Sequence, residues 1–113
     1  MTEDRNNSNK ICGSSDEKFH LPDDDTLEEQ VDLFKAIADP TRLSILYLLE
    51  GHELCTQRIQ TELDKSQPTI SHHLKILKKA KLIKSTKKGV WIYYKLRNPK
   101  FIETLKNIQK NKR

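Results

Sequence analysis

The run SQPTISHHLKILKKA at residues 66–80 places hydroxyls, an amide, imidazoles and ammonium groups within about four helical turns. At about 100° per residue, Ile70, Leu74 and Leu77 fall on one side and must seek a core. Pro68, His72, Lys75 and Lys79 fall nearly opposite, flanked by Thr69 and Ser71. No carboxylate occurs from residue 65 to 102. A helix that needed only solubility would mix both signs of charge, so this face is suited to approach an anion. The second chemistry is sulfur. Cys55 lies near the expected N-terminus of a short helix, where a thiolate is favoured and suited to metal, arsenite or oxidant chemistry. The plainer reading is a small apolar residue in a packed site.

Several elements must position these groups. Residues 1–25 are polar and close on Asp23-Asp24-Asp25, which predicts a flexible acidic N-terminal arm ahead of a domain at 26–113. Thr26 is expected to cap a first helix, with Glu28 and Glu29 in its first turn and Leu27, Val31, Phe34 and Ala38 as its apolar stripe. Asp39-Pro40 starts a second helix carrying Leu43, Ile45, Leu46 and Leu49, which Gly51 ends. In CTQRIQTEL, Ile59 and Leu63 are four apart, and Asp64-Lys65 makes a tight connection to Ser66, which caps the run described above. Val90, Ile92, Tyr94 and Leu96 alternate with Trp91, Tyr93 and Lys95, so residues 82–96 read as a β-hairpin with Lys87-Lys88-Gly89 at its turn. Asn98-Pro99 opens a last helix with the stripe Phe101, Ile102, Leu105 and Ile108. The expected architecture is mainly α with a β-hairpin wing, in the order α-α-α-α-β-β-α.

A length of 113 residues suits one domain, and 35% hydrophobic with 33% charged residues suits a small core under a charged surface. A net charge of +5 conceals an asymmetry. Residues 1–34 hold three basic and ten acidic side chains, whereas 65–113 hold fifteen basic residues and one acid, Glu103. No apolar run approaches the roughly 18–20 residues a membrane span needs. The start MTEDRNNSNK lacks the apolar segment of a signal peptide, and two cysteines in such a chain suit a reducing interior, so the expected location is cytoplasmic. No Gly-rich phosphate loop, HExxH or paired-carboxylate motif occurs, and Cys55 with His52 has no neighbouring oxyanion hole, which argues against an enzyme.

Two short helices joined by a tight turn, the second basic outward, form a helix-turn-helix whose second helix fits the major groove of duplex DNA. Gln67, Ser71 and His72 are placed to hydrogen-bond base edges, and Lys75 and Lys79 to meet phosphates. Lys87 and Lys88 would reach the flanking backbone or minor groove. The first and last stripes lack a partner within so small a domain, which predicts a homodimer formed through both helices on a partly palindromic operator. A winged helix used as a protein-interaction or RNA-binding module, without an inorganic effector, is the rival reading; it would not need an acid-free recognition helix and a basic wing together.

The segments FKAIADPTRLSILYLL (34–49), ELCTQRI (53–59), SQPTISHHLKILKKAKLI (66–83) and KKGVWIYYKL (87–96) resemble the ArsR-type (ArsR/SmtB) winged helix-turn-helix regulators over roughly residues 27–110. The resemblance implies a homodimeric repressor that leaves its operator when an effector binds, with DNA-contacting positions at Ser66, Gln67, Thr69, Ser71, His72 and the wing lysines. Many relatives carry a second cysteine where this chain has Gln57, so Cys55 matches only the first of a pair. The resemblance makes Cys12 in the arm a further candidate thiolate, with His20 beside it, for arsenite, cadmium or zinc. The other common metal site of the family needs Asp and His on the last helix; residues 98–113 contain neither. Two thiolates fall short of a closed zinc site unless His20, His52 or another subunit contributes, and a thiol–disulfide pair is the alternative. His52 is expected in a solvated turn, His73 as a packing or hydrogen-bonding residue, and Trp91, Tyr93 and Tyr94 in hairpin packing.

Overall fold

The computed structural model describes residues 12, 13 and 16–110. Most of the expected acidic arm lies outside the described residues. Helix α1 spans Asp24–Ile37, α2 Pro40–Leu48, α3 Thr56–Leu63, α4 Gln67–Lys79 and α5 Lys100–Lys110. Strands β1 (Leu54–Cys55), β2 (Ile83–Lys88) and β3 (Trp91–Leu96) form one antiparallel sheet in the order β1-β3-β2. No described helix is long and apolar enough to cross a membrane.

The expected helices and hairpin are present, with three corrections. The cap of α1 is Asp23, whose carboxylate accepts the Thr26 N–H at 2.8 Å, so Thr26 is the donor and not the cap. Three consecutive aspartates allow a start three residues earlier, with Asp24 and Asp25 at the positive end of the helix. Second, the hairpin turn is Gly89-Val90, not Lys87-Lys88-Gly89: Lys88 pairs with Trp91, and both lysines belong to β2. Gly89 supplies the positive φ of +64° that a two-residue hairpin turn requires at its first position. Val90, which alternation assigned to the strand, is therefore at the tip and 84% exposed. Third, β1 was not anticipated. Leu54 pairs with Tyr94 and Cys55 with Tyr93, and two residues are too few to show a period of two.

One apolar cluster holds the domain. Ile45 and Leu46 from α2 and Leu49 at its C-cap, Ile59 from α3, Ile70, Leu74 and Leu77 from α4, Ile83 and Leu96 from the wing, and Ile102 from α5 are all buried. Helix α1 has two apolar faces. Ala36 is buried and Ile37 packs against the core, while Leu27, Val31 and Phe34 remain 42%, 49% and 66% exposed. In α5, Ile102 is buried and Phe101 and Leu105 pack on the core, but Ile108 is 66% exposed. The stripe read from α1 is thus not a core face, and the outer end of the α5 stripe is uncovered.

Candidate nucleic-acid interface

Helix α3 ends at Asp64 in the left-handed region (φ 53°, ψ 50°), a conformation that Asp tolerates better than most residues. That single residue reverses the chain, and after Lys65 the residue Ser66 caps α4. Ser66 Oγ accepts the Thr69 N–H at 3.4 Å and donates its own proton to Thr69 Oγ1 at 3.0 Å. The Thr69 hydroxyl proton is left to point elsewhere. This matters for two of the expected contacts: Ser66 is largely engaged in capping, while Thr69 keeps a donor suited to a phosphate oxygen.

Gln67, Ser71, His72, Lys75 and Lys79 are all exposed, and Ile70, Leu74 and Leu77 are buried, as the helical spacing required. From Gln67 to Lys75 is about 12 Å along the axis and to Lys79 about 18 Å, against a major groove about 12 Å wide. Gln67, Ser71 and His72 therefore occupy the end that can enter a groove, and Lys75 stands at its margin. Lys79 is set apart from them. It lies beside Ala80 and Lys81 in a shallow depression whose other wall is Glu29 and Asp32 of α1. The N-terminal end of α4 presents the positive end of the helix dipole to any anion, but few free N–H groups: Pro68 has none, Ser66 Oγ holds that of Thr69 and the Ser66 carbonyl that of Ile70.

In the wing, Lys84, Thr86 and Lys88 face Lys95, Tyr93 and Trp91 across the ladder, so these side chains share one side of the hairpin. Lys87 is exposed. Lys88 is already engaged: its Nζ donates to Glu53 Oε1 at 2.9 Å and lies 5.0 Å from the centre of the Tyr93 ring. The hydrogen bond from Lys88 holds the Glu53 carboxyl below the usual carboxylate range, with Lys95 and Lys84 adding to it, and reciprocally raises the Lys88 ammonium. Sequence reasoning missed Glu53 as a competitor for this lysine, since pairing across 35 residues leaves no local signal. It also missed Arg42, whose guanidinium reaches α4 at His73.

Cys55 is half-buried at the junction of β1 and α3. It occupies the N-cap position of α3 and makes no side-chain capping hydrogen bond. Cys12 is exposed. His52 is exposed in the turn after α2, and Trp91 keeps 44% of its surface. Among the described residues, no group of three or more His, Cys, Asp or Glu side chains is gathered to hold a metal ion. A closed zinc or cadmium site does not fit the described donors of one protomer.

Comparison with known proteins agrees with this geometry. The profile of bacterial regulatory proteins of the arsR family matches residues 39–85, which span α2, α3, α4 and the start of the wing. An HTH-type transcriptional regulator of Methanocaldococcus jannaschii is 49% identical over 80 residues, covering 70% of this chain and 90% of that one. The arsenical resistance operon repressor of Escherichia coli is 48% identical over 67 residues, covering 58% of this chain and 57% of that one. A homodimeric winged helix-turn-helix DNA-binding domain of Mycobacterium bovis superposes with a TM-score of 0.69 at 27% identity, over 88% of this chain and 87% of that one. A relative of this identity and coverage, together with the matched profile and the helix-turn-helix with its wing, settles the class: the chain belongs to the arsR family of DNA-binding transcriptional regulators, a non-enzymatic class.

Proposed function

We propose that this protein is a homodimeric repressor that grips a partly palindromic operator in duplex DNA, each protomer inserting the N-terminal end of α4 into the major groove. The observation that carries the reading is the exposed face of α4: Gln67, Ser71, His72 and Lys75 project from a helix whose other side is locked in the core. Base edges are read by the Gln67 amide, the Ser71 hydroxyl and the His72 imidazole. Phosphates are met by Thr69, Lys75 and Lys87, with Ser66 holding the helix start and Lys88 joining once it leaves Glu53. Lys79 contributes at the far margin. Dimerisation through α1 and α5 is supported by the uncovered Leu27, Val31, Phe34 and Ile108, and by the homodimeric M. bovis domain.

The finer part of the proposal is release by an effector acting at thiols, in keeping with a relative named for arsenical resistance. Cys55 is the residue through which it would act, because it lies between a strand of the wing sheet and the first helix of the helix-turn-helix. A ligand or adduct on its sulfur displaces β1 or α3, and α3 carries the turn into α4. Cys12 on the arm is the second thiol.

Charge reversal tests the first part. Lys75→Glu with Lys79→Glu is expected to abolish duplex binding while helix content and dimer mass persist; undiminished binding would remove α4 from the interface. For the second part, arsenite, cadmium, zinc and a mild oxidant are added to the preformed complex. Release expected of the wild type should be lost in Cys55→Ser, and a serine variant that still releases would exclude this thiol.

A further inference from the structure

The DNA-reading surface does not use Arg42 and His73, yet together they join three helices. The Arg42 backbone N–H donates to Asp39 Oδ2 at 3.0 Å, closing the cap of α2. Its guanidinium Nε donates to the carbonyl of Ala36 at 2.6 Å and Nη2 to that of Lys35 at 3.4 Å, both in the last turn of α1. The remaining edge, Nη1, crosses to α4 and meets His73 Nδ1 at 3.1 Å. A guanidinium has donors only, so Nδ1 must accept, and the imidazole is neutral with its proton on Nε2. The His73 side chain keeps 14% of its surface. Among the described residues this is the only side-chain hydrogen bond from α4 to another helix. Otherwise α4 is held by burial of Ile70, Leu74 and Leu77, which fixes the side that faces the core but, being non-directional, sets the exact roll less sharply than a hydrogen bond does.

We propose that His73 is a positioning residue for DNA recognition: its hydrogen bond from Arg42 fixes the roll of α4 against the end of α1, and protonation at Nδ1 breaks that bond and lowers DNA affinity in acid. The inference rests on the reading that α4 enters DNA. A proton on Nδ1 sets two donors face to face and brings an imidazolium against a guanidinium. The charged groups facing His73 are Asp39, with Oδ2 at 3.9 Å, and Arg42 from α2, Lys65 from the turn before α4, and His72 beside it on α4. From α1 the cluster receives the two carbonyls. Burial holds His73 below its ordinary value of 6.5; Asp39 opposes this, and Arg42, His72 and Lys65 reinforce it. A depressed histidine leaves the seat intact above about pH 6.5 and releases it as pH falls through the lower folded value.

His72 is a second imidazole, exposed on the DNA side of α4, and is removed so that the readout belongs to His73 alone. The test therefore uses the full-length His72→Gln protein, titrated by anisotropy onto a duplex of its own promoter between pH 8 and pH 5.5 at constant salt. Affinity should fall about tenfold toward acid, the loss of roughly one hydrogen bond to a charged group. In His72→Gln/His73→Gln, whose amide oxygen accepts from Arg42 but does not titrate, the fall should vanish. Imidazole nitrogen shifts of the free protein should show Nδ1 unprotonated at pH 8, independently of any DNA. A flat profile for His72→Gln, an equal fall in the double variant, or a proton on Nδ1 at pH 8 would overturn the proposal. If the wild-type protein, titrated alongside, also fails to bind duplex at pH 8 while Nδ1 is unprotonated, it is the DNA reading that falls, and the affinity consequence with it.

Discussion

Replacing Lys75 by glutamine removes one ammonium from the margin of the recognition helix without touching its packing, because Lys75 is exposed and opposite Ile70, Leu74 and Leu77. In a dimer two cations are lost. Each phosphate contact contributes about 0.9 to the slope of log affinity against log salt, so the slope should flatten by about 1.8. Between about 50 and 200 mM salt, the wild type should then lose roughly twelvefold more affinity than the variant. Lys88→Gln is the comparison. Its ammonium is held by Glu53 at 2.9 Å in the free protein, so part of any gain from phosphate is offset by loss of that pair. Its slope change should be the smaller of the two. Fluorescence anisotropy at four or more salt concentrations measures both. An unchanged slope for Lys75→Gln, with an unchanged melting temperature, would refute the placement of Lys75 at a phosphate. Equal changes for the two lysines would show that Glu53 does not compete.

Three further outcomes follow from the fold. Phe34→Asp with Val31→Asp, on the exposed face of α1, should give a monomer by sedimentation with helix content retained. Operator affinity should then fall on the order of a hundredfold as the second recognition helix is lost; a dimer that persists would move the interface elsewhere. Ile70→Ala, at a fully buried site, should cost roughly 2–5 kcal/mol in denaturant melts, and a cost below 1 kcal/mol would contradict the burial of that face. Asp39→Ala should cost about 1 kcal/mol as a lost helix cap. The Arg42 N–H holds the Asp39 carboxyl below its ordinary value of 3.8. Its contribution is therefore present above about pH 4 and lost as pH falls through the lower folded value, so the wild-type and Asp39→Ala stabilities should converge in acid.

The recognition helix was legible because two periodic signals coincide there: Ile70, Leu74 and Leu77 fix the buried side, and the acid-free remainder defines the other. Helix α2 was equally plain, since Asp39-Pro40 is a strong start signal and the cap forms as expected. The wing was read correctly in its strands but not at its tip, because alternation cannot show where pairing stops; the Lys88–Trp91 register and the backbone of Gly89 decide that. In α1 the stripe Leu27, Val31 and Phe34 is real, but periodicity does not say whether an apolar face meets the same chain or another. The Glu53–Lys88 pair and the Arg42–His73 bond were invisible for a different reason. Each joins residues more than 30 apart through side chains whose types occur elsewhere along the chain. Of the sulfur chemistry, the sequence located Cys55 near a helix start, and the structure places it at the N-cap itself.

The central claim is that α4 reads duplex DNA, and the most direct measurement is a titration of the reduced, metal-free full-length protein onto its own promoter duplex and onto a scrambled duplex of equal length, at two salt concentrations. Tight binding to the promoter, weaker binding to the scrambled duplex and a steep loss of both with salt are the expected results. Absence of binding to either duplex at the lower salt would contradict the account.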